Sequence, residues 1–162
     1  MKNLKIEIKW AFIFIGSLLL WMFLERLVGL HDKHIDKHQY LTMLYSIVAI
    51  ALYVFALLDK RKNFYNGFMT YKQGFLTGLI ITVIVTIFSP LTQWIISSVI
   101  TPDFFENVIK YSVETGYHKT IADAEAQFNL KSYIVQSTVG ALLMGIVTTA
   151  IVAIFTRKKS TN

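Results

Sequence analysis

Four long apolar stretches set the terms for this chain. A helix must present roughly 20 mainly apolar residues to cross a hydrocarbon core of about 30 Å. The stretches at about 10–30, 40–58, 74–100 and 133–156 meet that length or come close to it. The first contains WAFIFIGSLLLWMFL ahead of Glu25 and Arg26; the other three carry no charge, although Pro90 interrupts the third. A soluble helix keeps a polar outer face, and these segments are apolar nearly all round. The fold class predicted is therefore all-α: an integral membrane bundle of four transmembrane helices, forming a single membrane domain over residues 1–162. Composition points the same way. Only 16% of residues are charged, where a soluble domain carries about 25%.

The charges are sorted by connector. Residues 1–9, 59–72 and 157–159 hold ten Lys and Arg against two acids, Glu7 and Asp59. The alternate connectors hold six cations, Arg26, Lys33, Lys37, Lys110, Lys119 and Lys131, against eight acids. The positive-inside rule then predicts a multi-pass protein of the cell (inner) membrane, with the N-terminus and C-terminus both cytoplasmic. This sorting accounts for the net charge of +6 with no nucleic acid as partner: the basic connectors would rest on anionic headgroups of the lipid bilayer. Phe64, Tyr65, Phe68 and Tyr71 interleave with Lys60, Arg61, Lys62 and Lys72, and the same argument reads them as an interfacial turn. No small-x-small site follows the first apolar stretch, so an uncleaved span is expected there rather than a signal peptide. The absence of cysteine excludes disulfides, thiolate metal sites and cysteine nucleophiles.

The connectors carry their own local signals. Asn66-Gly67 marks a turn, and Thr70 with Gln73 forms a capping-box pattern at the start of the third span. Residues 102–131 read as an extracytoplasmic helical hairpin. Thr101-Pro102-Asp103 suits a helix start with Thr101 as N-cap, and Phe104, Phe105, Val108, Ile109 and Ser112 recur at helical spacing. Gly116 breaks that helix, and Thr120 with Asp123 opens a second.

Three sets of residues are candidates for function. Small residues recur every fourth position in the third span (Gly74, Gly78, Thr82, Thr86) and in the fourth (Ser137, Ala141, Gly145, Thr149, Ala153). Such stripes let helix backbones approach closely in lipid, and they predict packing of the third span on the fourth or a homodimer seam. Ser89, Thr92, Gln93 and Gln136 gather around Pro90 in sequence and define a candidate polar pocket. His31, His34 and His38 lie within HDKHIDKH. On a helix they would share an arc of about 60°, with His34 and His38 at the i, i+4 spacing of a metal-binding pair. Asp32 and Asp36 would point elsewhere on that helix, and a turn after Gly29 would dissolve the shared face altogether. Glu25 and Arg26 close the first span and are expected to snorkel to the interface. No nucleophile elbow, P-loop, H-E-x-x-H or dinucleotide fingerprint occurs; Glu25 and His31 alone are too little to indicate an enzyme, and no cofactor is expected.

The order of these segments resembles a bacterial membrane-protein family called domain of unknown function 4199, small four-span proteins typical of Bacteroidetes. The resemblance rests on GLHDKHIDKH, DKRKNFYNGFMTYKQGF, SPLTQ, ITPDFFENVIKY and AEAQFNLKSYIVQS, and it extends over nearly the whole chain. It implies a bacterial inner-membrane protein and supplies no activity, substrate or site residue. The sequence thus leads to a non-enzymatic membrane protein that acts through helix–helix or partner contacts, as a homo-oligomer or on another membrane protein. Two alternatives stand beside it: a small transporter or ligand-binding protein using the Pro90 region, and an extracytoplasmic metal-responsive protein using His31, His34 and His38.

Overall fold

Each apolar stretch becomes a long helix, with bounds shifted by a few residues from the stretch itself. In a computed structural model that describes residues 4–159, α1 runs from Lys5 to Leu27, α2 from Ile35 to Leu41 and α3 from Tyr45 to Asn63. A single turn of 3₁₀ helix, Thr42–Leu44, joins α2 to α3. Then follow α4 (Tyr71–Ile95), α5 (Phe104–Glu114), α6 (Ile121–Gln127) and α7 (Leu130–Thr156). Among the described residues there is no β-strand, only one isolated bridge in which Met69 and Lys158 exchange backbone hydrogen bonds of 2.9 and 2.8 Å.

Four helical segments are long and apolar enough to cross a membrane: Lys5–Leu27, Ile35–Asn63, Tyr71–Ile100 and Ile121–Thr156. Only 11–39% of their most apolar windows is buried within the protein. Side chains such as Leu20, Phe55, Ile87 and Phe155 lie exposed, as expected where the surrounding solvent is hydrocarbon. The helix continues through Pro90. It then widens into one π turn at Ile96–Ile100, closed when the Thr101 N–H and hydroxyl both donate to the Ile96 carbonyl.

The chain divides into two compact units. The first gathers Met1–Gly16, Ser46–Phe88 and Val139–Asn162. Its core is Ala11, Tyr53, Ala56, Leu57, Met69, Ile81, Val85, Val152 and Ala153. The small residues of α4 and α7 decide how closely their backbones come. A methyl group placed on Gly78 would fall 2.5 Å from Thr149, one on Gly145 2.7 Å from the Thr82 hydroxyl, and one on Gly74 3.4 Å from Ala153. Asn66 and Gly67 turn the chain with φ of 52° and 90°. The capping box then starts α4: the Thr70 N–H donates to Gln73 and the Gln73 N–H donates back. Arg61 donates to the Thr156 carbonyl at 2.8 Å and so satisfies one of the free acceptors at the end of α7.

The second unit holds Ser17–Tyr45 and Ser89–Thr138. Here α5 packs on α6 and on α2. Helix α6 starts as its sequence dictates, the Thr120 hydroxyl accepting from the Asp123 N–H. Helix α5 does not: Asp103 occupies the N-cap position without a side-chain cap bond, and Thr101 closes the π turn instead.

Candidate metal centre

Helix α1 ends at a Schellman-type turn, and that turn builds the site. Gly29, with φ of +77°, sits just past the helix; the Leu30 N–H donates to the Glu25 carbonyl and the Gly29 N–H to the Arg26 carbonyl, both at 3.0 Å. A left-handed residue after the last turn is the usual way to close such a motif, and glycine adopts it without strain. A side chain at Gly29 would also meet Asp32 at 2.9 Å. The reversal brings Leu30 and His31 back against the end of α1, both buried. The His34 N–H then donates to the Gly29 carbonyl, and α2 starts at Ile35.

Three side chains meet there. His31 Nε2 lies 3.3 Å from Glu25 Oε2, and His38 Nδ1 lies 3.6 Å from the same oxygen. One ligand atom from each of the three falls within 4.8 Å of the other two. The other Glu25 oxygen accepts from Trp21 Nε1 at 2.5 Å. Phe104 of α5 closes the cluster, its ring 5.4 Å from the His31 ring and 5.0 Å from the His38 ring. Asn107, one turn further along α5, donates to the His31 carbonyl at 3.0 Å. Glu25 and His31 are 3% and 5% exposed.

The polar atoms at the centre are not satisfied by one another. Glu25 Oε2, His31 Nδ1 and Nε2, and His38 Nδ1 are buried without a hydrogen-bond partner. Buried polar groups are almost always bonded, so such a group needs an explanation. A tetrahedral zinc ion bound at about 2.0–2.1 Å separates its ligand atoms by about 3.3 Å, close to the two spacings found. Two imidazoles and one carboxylate also match the donor preference of first-row divalent metals and leave coordination positions free.

The sequence motif is only partly retained in this cluster. His31 and His38 come together, while His34 is exposed at the N-cap of α2. The face shared by three histidines requires one continuous helix, and the turn at Gly29 interrupts it before His34. The third place in the cluster falls to Glu25, which sequence periodicity left at the interface. Its signal was legible all the same, as a glycine stop four residues after an acid and two before a histidine. His118 lies apart, 3.1 Å from Gln127 Oε1.

Of the candidate polar-pocket residues, two are held by neighbouring hydroxyls. The Ser89 hydroxyl donates to Ser137 at 3.2 Å, Gln93 donates to Ser97 at 3.0 Å, Thr92 is buried and Gln136 is exposed. In the first unit Glu7, also on α1, is buried and accepts from Lys60 Nζ at 2.8 and 3.0 Å. Lys60 lies 3.8 Å over the Phe64 ring. The pair borders a cavity of about 520 Å³. Burial pushes the Tyr65 hydroxyl on its wall above the usual range, and the Glu7 charge adds to the effect.

These features define a class: an all-α protein with four helices long and apolar enough to span a membrane, and a buried cluster of one carboxylate and two histidines. Residues 9–158 match the family described as "Protein of unknown function (DUF4199)", and the chain belongs to that family. The resemblance read from the connectors therefore holds over nearly the whole chain. No curated protein and no solved structure matches it.

Proposed function

We propose that this is a four-helix bundle protein of the bacterial inner membrane that binds a divalent first-row metal ion through Glu25, His31 and His38. The sorting of Lys and Arg supports cytoplasmic termini and an extracytoplasmic second unit, where the metal would be drawn from outside the cell. One observation carries the reading: three buried ligand atoms, one each from Glu25, His31 and His38, converge without a hydrogen-bond partner, and a cation would satisfy them together. The protein then acts by contact rather than by catalysis, on a membrane partner or a second copy of itself, with the metal fixing the region where α1, α2 and α5 meet. Phe104 and Asn107 support that link, because both tie α5 directly to the histidine segment.

Titration of the purified full chain with zinc and cobalt tests this. One ion per chain is expected, with a tetrahedral cobalt spectrum. His31→Ala, His38→Ala and Glu25→Gln should each weaken binding by tenfold or more. Wild-type protein that takes up no more zinc than the His31→Ala/His38→Ala variant would remove the metal reading.

A further inference from the structure

A cleft of about 60 Å³ opens beside the metal centre, between the loop after α1 and the start of α5. Its wall includes His31, Asp32, Asp103, Asn107 and Arg26. The space exceeds the ~10–15 Å³ that one water requires. Asp32 and Asp103 are exposed, whereas His31 is 5% exposed. The cleft therefore runs from two surface carboxylates to a buried ligand.

The groups on its wall are committed unequally. Asn107 is held by the His31 carbonyl, and Arg26 Nη1 reaches the Val99 carbonyl at 3.5 Å. One oxygen of Asp32 accepts from the Lys33 N–H. Asp103 stands at the N-cap of α5 yet makes no cap bond, although an aspartate there ordinarily does. The His31 ring presents Nε2 to Glu25, and Nδ1, on another corner of the ring, also lacks a partner. Two carboxylates against one guanidinium leave the cleft net negative, and an acidic cleft concentrates cations and speeds their capture.

We infer that divalent metal reaches the Glu25–His31–His38 centre through this cleft, collected by Asp32 and Asp103 and taken in by His31. This rests on the metal-binding reading above. Another opening near the centre is a cavity of about 330 Å³ on the His38 side. Asp36 is its only acid, and Phe104, Tyr111, Tyr117, Phe128 and Tyr133 line it. Such a wall suits a hydrated cation poorly.

Stopped-flow loading of zinc chloride into the full chain tests the path, in nanodiscs of uncharged phosphatidylcholine at low salt. Asn at position 32 keeps an acceptor for the Lys33 N–H, so Asp32→Asn/Asp103→Asn removes charge while leaving the turn its bond. The double variant is expected to load about tenfold more slowly, with a weaker dependence on salt, a stoichiometry still of one and a dissociation rate within twofold of wild type. Asp36→Asn should load at the wild-type rate. Zinc binding with an unchanged loading rate in the double variant overturns the path and leaves the metal centre standing. A loss carried by faster dissociation also overturns it, because the two aspartates would then be ligands. No zinc in the wild type overturns both.

Discussion

Helix α1 buries two carboxylates, and they are treated in opposite ways. Glu7, in the first unit, is 2% exposed and meets the ammonium of Lys60. Glu25, in the second, is 3% exposed and meets two imidazoles whose facing nitrogens have no partner. A buried ion pair offsets its desolvation cost when charge and geometry match. Glu25 faces two imidazoles instead of an ammonium, and its Oε2 and the facing ring nitrogens are left without a hydrogen-bond partner. The first arrangement is complete as a piece of structure. The second leaves polar atoms at its centre without a hydrogen-bond partner. The difference teaches that burial of charge does not mark function by itself; what marks it is the charge the fold leaves unanswered.

The largest break in this comparison should come at the first site. Lys60→Met leaves Glu7 buried and unpaired, and breaking such a pair costs about 3–5 kcal/mol. Thermal unfolding in detergent should show a strongly lowered transition, largely recovered in Glu7→Leu/Lys60→Met. If Lys60→Met unfolds like wild type, the pair is not buried as described. Glu25→Gln, measured without metal, should leave the transition nearly where it was, since no cation is orphaned.

Metal should reverse that order at the second site. Free zinc at 100 times the wild-type dissociation constant should add about 2.7 kcal/mol to stability in the wild type and about 1.4 kcal/mol or less in Glu25→Gln. An equal rise in both proteins would mean that the zinc sits elsewhere. Next in size is the close packing of the first unit. Gly78→Val places a side chain against Thr149 and should cost about 1–3 kcal/mol. Gly16→Ala, where the space is open, should cost nothing. The smallest effect separates motif from site: His34→Ala should change zinc affinity by less than about twofold, because an exposed side chain outside the cluster has no ligand bond to lose. A tenfold loss there would restore the linear histidine motif as the binding unit.

The helical plan could be read from the sequence because its causes are local. Apolar length determines a spanning segment, Thr70 with Gln73 determines a cap, and Asn66-Gly67 determines a turn. Each of these acts within a few residues of itself. The stripes of Gly74, Gly78 and Thr82 and of Gly145, Thr149 and Ala153 were legible for the same reason, since helical periodicity alone puts them on one line. Thr101 shows where such reading fails. Its local signal is an N-cap, but the preceding helix widens into a π turn and draws the hydroxyl back to Ile96.

What the sequence determined, then, was the class: four apolar helices, sorted charges, no thiol chemistry, and a histidine-rich connector among residues characteristic of the family. What only the tertiary structure decided was which charges face one another. Glu7 finds Lys60 from 53 positions away, and Phe104 and Asn107 reach the histidine segment from more than 65 positions on. Glu25 joins His31 and His38 because the chain reverses at Gly29, and His34 is left outside for the same reason. Hydropathy and periodicity report the solvent and direction of each residue along its own helix. A ligand set depends on distances between elements, and those are fixed only when the helices pack.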